Sequence, residues 1–474
     1  VDDTASKGVL ADLEKAETVT RMARSIKAPK DSRPVAWADL EKATEDLRVA
    51  YRRAEERRRV ITNLEGLAQS PSYANILLAE AMLAEEGPKF PGLTDAPKVK
   101  ELLDSLYAGH RASIKYVPRQ SEPPRPAKAE EDTSPAILVG PLLAGSPGNP
   151  PANDPITLAL SRGVLYGLSE TTGRIRWAKR LGIDTTTLPV RIPAGKGSSE
   201  RILALSSDSA RLDALDPEGN TLWSYRLGDP SLGRPLVVGQ RAYIATYKGD
   251  VHEIELNEGR LLGRFVLGHS LTTGGAHDPL TGLLYFPADD GCVYILRTGP
   301  NPGCEMILYT RHLAASLRGE PILLPPIQGD TGYMVLNQTA GTRATELKVF
   351  DLPIRDRNAT PRKLKMRAAM DGWTWFPPFN DPEKIALLTD AGMLGVFGIR
   401  QPGTSDQPLF PLLPDGGLRL RSTPSDLTTS ARATIVQIEG EDYWTLGLGR
   451  LQRHRLVWDT RQGPRLVPVW GDAP

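Results

Sequence analysis

The residues able to do chemistry are few and scattered. Six histidines and two cysteines occur in 474 residues. Cys292 and Cys304 stand on either side of a predicted hairpin turn, where a bridge is geometrically conceivable. Two free, half-buried thiols are the simpler expectation. His269 and His277 are the closest imidazole pair, in a loop rich in Gly and Thr. A metal there needs a third ligand, and the neighbourhood offers none. Asp289 and Asp290 stand just ahead of a strand pattern, so they are expected to shape its turn; calcium would need a larger clustered oxygen set. No G-x-S-x-G elbow, P-loop, H-E-x-x-H or paired C-x-x-C is present. The expectation is a chain with no catalytic residues, no metal site and no bound cofactor.

Composition narrows the partners. With 58 basic and 57 acidic residues the formal charge is +1. That balance argues against nucleic acid or an anionic membrane, both of which need a basic surface. No run approaches the ~20 apolar residues of a membrane-spanning helix. A start at Val1 fits a processed protein or an excerpt of a longer chain.

The elements that must hold these residues fall into three stretches. Residues 1–118 read as helices, forming a hairpin, a short coiled coil or a small helical-repeat pair. From Leu40 the apolar positions run Leu40, Ala43, Leu47, Ala50, Ala54, Ile61 and Leu64, a spacing that lays one narrow stripe along a helix. The Arg57–Arg59 cluster then belongs to a solvated face. A second helix, Tyr73 to Glu86, ends at Gly87 as a stop. Residues 119–135 combine Pro, Ala and charge without apolar period and read as a linker.

Residues 136–474 change period from helical to alternating, and the chain begins to resemble itself. The clearest copies are Gly163-Val-Leu-Tyr-Gly-Leu168, Ala210-Arg-Leu-Asp-Ala-Leu215, Gly249-Asp-Val-His-Glu-Ile254 and Gly291-Cys-Val-Tyr-Ile-Leu296. Weaker ones begin at Thr345, Gly392 and Gly449. Successive copies lie 39 to 57 residues apart, enough for four short strands and their turns. That is the size of one propeller blade, and seven copies predict seven blades. His252 and His454 fall inside these strands as core or channel-facing residues.

The turn after each early copy carries a second pattern. In Gly167-Leu-Ser-Glu-Thr-Thr-Gly-Arg-Ile-Arg-Trp177, Thr172-Gly173 is followed four residues later by Trp177. Asp216, Gly219 and Trp223 repeat the arrangement, while Gly259 keeps the turn but has Gly263 at the Trp position. Gly supplies positive φ in a hairpin, Ser169, Asp216 or Asn257 can bind the turn backbone, and the indole fills the wedge between blades.

These residues resemble the tryptophan-docking motif of quinoprotein-like propellers, well in two blades and loosely in two more. The chain looks like the PQQ-binding-like β-propeller repeat proteins of planctomycete-type bacteria, a repeat name that records fold and not bound quinone. The resemblance implies a mainly β fold: a quinoprotein-like propeller of seven blades, or eight if one is missing at the C-terminal end, behind an N-terminal all-α domain. Quinone-dependent alcohol dehydrogenases carry an adjacent Cys-Cys pair, a calcium held by Glu and Asn, and an Asp base. Cys292 and Cys304 are eleven residues too far apart for that pair, so PQQ is not expected and the dehydrogenase is the alternative.

Two features point to a partner surface. Trp373 and Trp375 share one side of an extended segment, a blade-core position or an aromatic grip for a peptide or glycan. Arg318, Arg450 and Arg453 are expected on the top face or channel, because the Arg450–Arg455 strand has no cleanly apolar side. The reading is a non-catalytic scaffold binding a protein, or a glycan, with the periplasm or cell envelope as its place. By resemblance its relative of known role is the propeller lipoprotein of outer-membrane protein assembly. An assembly protein polymerising through the N-terminal helices is the third expectation.

Overall fold

The computed structural model describes residues 3–25, 35–119 and, with interruptions in loops, 155–470. All but one residue of the 119–135 linker lies outside the described residues. The chain divides into two compact units, Val1–Ser113 and Ile114–Pro474.

The first unit is helical: α1 Asp3–Ser25, α2 Val35–Ala68, α3 Tyr73–Glu86 and α4 Pro97–Ser113. Helices α1 and α2 pair side by side, with the Thr20 and Thr44 hydroxyls 3.1 Å apart and Arg48 bonded to Glu17 at 3.0 Å. The second half of α2 packs on α3 and α4 through Val60, Leu64, Ile76, Ala79, Leu83, Val99, Leu102 and Leu106. The inward line of α2 differs from the expected stripe. Ala43 and Ala50 are exposed, while Thr44, Leu47, Tyr51, Ala54, Arg57 and Val60 turn inward. Alanine has too little area to orient a helix, so its larger neighbours decide. Arg57 is thus half-buried, unlike exposed Arg58 and Arg59. Helix α3 is capped by Ser72, whose hydroxyl accepts the Asn75 N–H at 3.2 Å. Gly87 keeps right-handed geometry, φ −53°, and does not form the left-handed stop.

The second unit is mainly β, built of antiparallel sheets in chain order. Seven are present among the described residues. The first has three strands, Ile156–Ser161, Val164–Ser169 and Ile175–Arg180. The second runs from Val190–Ile192 to Thr221–Arg226, the third from Leu236–Val238 to Leu261–Val266, and the fourth from Ala276–His277 to Gly303–Tyr309. The fifth runs from Ile322–Leu324 to Leu364–Asp371, the sixth from Phe379–Asn380 to Leu409–Pro411, and the seventh from Thr434–Glu439 to Gly463–Trp470. Apolar cores lie between successive sheets. Ile156, Leu165, Ile202 and Leu215 join the first two; Leu203, Leu212, Ile244 and Ile254 join the second and third. Val293, Leu308, Met334 and Phe350 do so for the fourth and fifth.

Every repeat copy seen in the sequence is the strand before the last of its sheet, except in the sixth, where the copy Met393–Ile399 also pairs with a further strand, Leu418–Arg419. In the first four copies the residue that opens it turns the chain through the left-handed region: Gly163 has φ 72°, Gly249 92° and Gly291 53°. Ala210 does the same at φ 47°, with a Cβ to accommodate. A second regularity is invisible in the sequence. Six sheets carry a register shift between their last two strands, as at Gly167/Leu168, Ala214/Leu215, Glu253/Ile254 and Ile295/Leu296. A β-bulge re-aims the next side chain, and in the first two sheets that side chain is Trp177 or Trp223.

The third sheet has a fifth strand, Lys115–Pro118, paired antiparallel on Leu261–Val266. These four residues were expected in the helical domain. The last helix ends at Ser113, and the segment completes a sheet edge instead, because its unpaired backbone groups and those of the edge satisfy each other.

Candidate functional site

Among the described residues, loops that lead from one sheet to the next lie together with turns before the repeat strands on one face of the second unit. The two sets are tied by a recurring backbone bond. Tyr247 N–H donates to Pro230 O at 2.8 Å, Asp289 to Ser270 at 2.6 Å, Thr339 to Ser316 at 2.7 Å and Asp390 to Trp373 at 2.9 Å. Neighbouring crossover loops also touch. A Cβ on Gly233 would strike the backbone of Thr273 and Gly274, and one on Gly319 would strike Pro377. Such close stacking gives this face rigid loops on a rigid frame.

Several large apolar side chains stand out of this face into solvent. Leu188 is 51% exposed, Leu232 47%, Tyr247 50% and Leu313 60%. The first three lie on connected backbone, since the Thr187 hydroxyl donates to Leu232 O at 3.0 Å while Tyr247 bonds Pro230. At the rim Lys248 pairs with Asp229 at 2.7 Å. A connected apolar group with charge at its edge is the pattern of a contact surface.

Arg318, Trp373 and Trp375 occupy two adjacent crossover loops of the same face. Asn337 clamps the loops together: its Nδ2 donates to Arg318 O at 3.0 Å and to Thr374 Oγ1 at 3.1 Å. The two indoles meet edge to face, centroids 6.4 Å apart, both half-buried. The Arg318 guanidinium folds back onto Ala315 O and Leu317 O, and burial lowers its pKa while Asp289 partly restores it. Arg453 lies elsewhere, in the seventh sheet, where it and Arg455 grip Asp442. The hydrogen bonds from Arg455, ahead of those from Arg453, hold that carboxyl well below the usual carboxylate range. The Arg-rich strand is therefore reconciled by a buried acid. The Arg450 side chain lies outside the described residues.

The reactive residue types gather in the fourth sheet and its loops. His269 Nε2 meets Asp290, and its Nδ1 lies 3.3 Å from Tyr294 OH and 3.4 Å from Cys292 Sγ. A Cys–His–Asp series suggests a nucleophile, but Cys292 is fully buried and burial pushes its thiol well above the ordinary range. A nucleophilic thiol needs the opposite, an exposed and depressed pKa. Asp289 accepts from Ala315 N at 2.9 Å and from Thr272 Oγ1 at 3.2 Å, so the acidic doublet bonds the neighbouring loops. Cys304 pairs across from Leu296 while Cys292 pairs across from Tyr309, and neither forms a disulfide. His252 is buried with Nδ1 3.0 Å from Tyr225 OH, and His277 lies on the first strand of the fourth sheet. Among the described residues no three His, Cys, Asp or Glu side chains are placed to share a metal ion.

The Thr-Gly and Trp positions lie between sheets. Thr172 donates its N–H to Ser169 Oγ at 3.0 Å, and Asp216 accepts from Asn220 N at 2.8 Å. Gly173, Gly219 and Gly259 have φ of 68°, 85° and 66°. Trp177 lies on Gly219 of the next sheet and donates Nε1–H to Pro217 O at 2.7 Å. Trp223 lies on Gly259 and donates to Leu256 O at 2.9 Å. In the Asn257 turn Glu255 accepts the Asn257 and Glu258 N–H groups.

Sequence reasoning missed Tyr116. Its ring occupies the space over Gly263, the position where the third repeat lacks its Trp, and its hydroxyl donates to Glu253 at 2.7 Å. Burial, reinforced by Glu253, pushes the phenol pKa up. By register, Met306 and Met366 stand at the Trp position in the fourth and fifth sheets, residues no Trp-based pattern could reveal.

A family model described as outer membrane protein assembly factor BamB matches residues 161–297. Among solved structures, BamB from Moraxella catarrhalis is similar at 14% identity over 65% of this chain and 83% of that one, with a TM-score of 0.39. The computationally designed protein Ika8 is also 14% identical, over 66% and 86% of the two chains, again at 0.39. No curated protein matches. The matched span holds both glycine-turn and tryptophan pairs, so residues 161–297 are similar to PQQ-like β-propeller repeats.

Proposed function

We propose that this protein is a non-catalytic scaffold whose seven sheets close as propeller blades and whose crossover-loop face holds a protein partner. The observation that carries the reading is the connected exposed group Leu188, Leu232 and Tyr247. Burying three such side chains at a partner's surface contributes about 1.5–3 kcal/mol each when fully enclosed, and rigid loops lose little entropy on docking. The matched family model is described as an outer membrane protein assembly factor, which supports an envelope location and an assembly role. No quinone chemistry is part of the reading, because Cys292 and Cys304 are far apart in the fourth sheet and one is sealed in the core.

The test is capture of native complexes by the full chain, with mass spectrometry of what is bound. Replacing Leu232 by Asp together with Tyr247 by Ser is expected to release a specific partner without lowering the melting temperature. Retention of every partner by that variant, or stoichiometric quinone binding with dye reduction, would overturn the reading.

A further inference from the structure

A separate cleft opens where the crossover loops meet the first strands of the fourth, fifth and sixth sheets. Its volume is about 250 Å³, and Glu320, His277, Asn380, Pro321, Pro377 and Pro378 are among its lining residues. Nothing in the docking surface above uses it. Glu320 stands in Arg318-Gly-Glu-Pro321 between a glycine at φ 91° and a proline, and the loop is pinned by Arg318 N–H donating to Asn337 O at 2.9 Å. The backbone of Gly274 approaches so closely that a Cβ there would lie 3.1 Å from Glu320 Cγ. The acid is therefore held in place by its surroundings.

Among the described residues Glu320 stands in no ion pair, and Arg234 acts on it by charge alone. Burial raises its pKa, its own backbone N–H and the distant Arg234 only partly opposing this. A partly desolvated carboxylate outside any ion pair is costly, and a ligand that supplied a positive charge would reduce that cost. The wall chemistry selects the kind of cation. A divalent metal needs several oxygen ligands, and this cleft has one carboxylate. A guanidinium prefers two acceptors in a planar fork, whereas an ammonium presents three donors around one point. The Glu320 carboxylate, the Asn380 amide and the His277 imidazole, groups that can each offer an acceptor, line one cleft. The proline rings, with Ile322 and Leu323, give aliphatic walls for a methylene stem. We infer that the Glu320 cleft is a receptor for an alkylammonium group, as carried by a lysine side chain or a free primary amine.

Calorimetric titration of the full chain tests this with n-butylammonium chloride, with Nα-acetyl-lysine methylamide and with neutral butyramide. Saturable binding of both cations and none of the amide is expected. Glu320→Gln, which removes only the charge, is expected to weaken binding by at least about tenfold while melting at or above the wild-type temperature. Tighter binding of the lysine derivative assigns the cleft to a protein side chain, and equal binding assigns it to free amines. Absence of saturable binding, equal affinity for butyramide, or unchanged affinity in Glu320→Gln overturns the inference. The Leu232→Asp, Tyr247→Ser variant is expected to bind butylammonium normally, so failure of the docking surface and failure of the cleft are told apart.

Discussion

Ala210 is the one repeat-opening residue among the first four that turns through φ 47° without being glycine. A left-handed L-residue costs about 1–2 kcal/mol, and glycine returns roughly 0.5–1 kcal/mol of that as extra unfolded-state entropy. Ala210→Gly is thus expected to stabilise the second unit by about 0.5–1 kcal/mol in denaturant unfolding, the reverse of the usual result for that substitution. His312 gives a pH signature. It is buried, with Nε2 3.0 Å from Ala288 O and Nδ1 2.8 Å from Thr310 Oγ1, and burial, opposed mainly by the Ala288 carbonyl, lowers its pKa to about 4. Its folded pKa lies below the unfolded value of about 6.5, so between those values the unfolded chain binds a proton that the folded chain refuses. Its contribution is full above about pH 6.5 and is lost as pH falls toward 4, about 3 kcal/mol in all. Stability measured at pH 7.5 and 4.5 is expected to differ markedly less in His312→Gln. A variant with an undiminished difference would remove His312 as the cause.

At the scale of elements, the third sheet shows how a missing tryptophan is made good. Gly263 leaves a gap, and the strand Lys115–Pro118 fills it with Tyr116, whose ring also meets Phe265 edge to face at 4.9 Å. Tyr116→Ala is expected to destabilise the second unit by about 2–3 kcal/mol and to speed hydrogen exchange along Leu261–Val266. Adding Gly263→Trp to that variant restores a docking indole, so a partial recovery is expected. In the wild-type background the same Gly263→Trp collides with Tyr116 and destabilises. If the two substitutions instead act additively, Tyr116 does not occupy the tryptophan space. This arrangement was hard to read because four residues, Lys-Tyr-Val-Pro, are too short for a period and their partner lies about 150 residues away. The glycine turns were legible, since positive φ constrains residue type directly. The bulge was not, because an extra residue in a register is a relation between two strands.

For the molecule as a whole, the unit boundary decides how the N-terminal helices should be removed. A chain beginning at Ile114 keeps the edge strand, and its unfolding is expected to match that of the second unit in the full chain. A chain beginning at Ser121 loses Tyr116, with an expected cost similar to Tyr116→Ala. If the longer truncation also changes oligomeric state while the shorter does not, the helices are not the polymerising element. The sequence by itself determined what is local or periodic: repeat length, glycine-bearing turns, the tryptophans at a fixed distance from them, and the absence of familiar catalytic motifs. These depend on backbone sterics and on side-chain spacing within one repeat. Tertiary structure decided what depends on distant segments meeting. It placed Leu188, Leu232 and Tyr247 on connected loops, committed Arg453 to Asp442, sealed Cys292 in the core, and set Glu320 in a cleft. A residue's type states what it can do, and only its neighbours, brought together from separate repeats, fix its solvation, its charge and its reach.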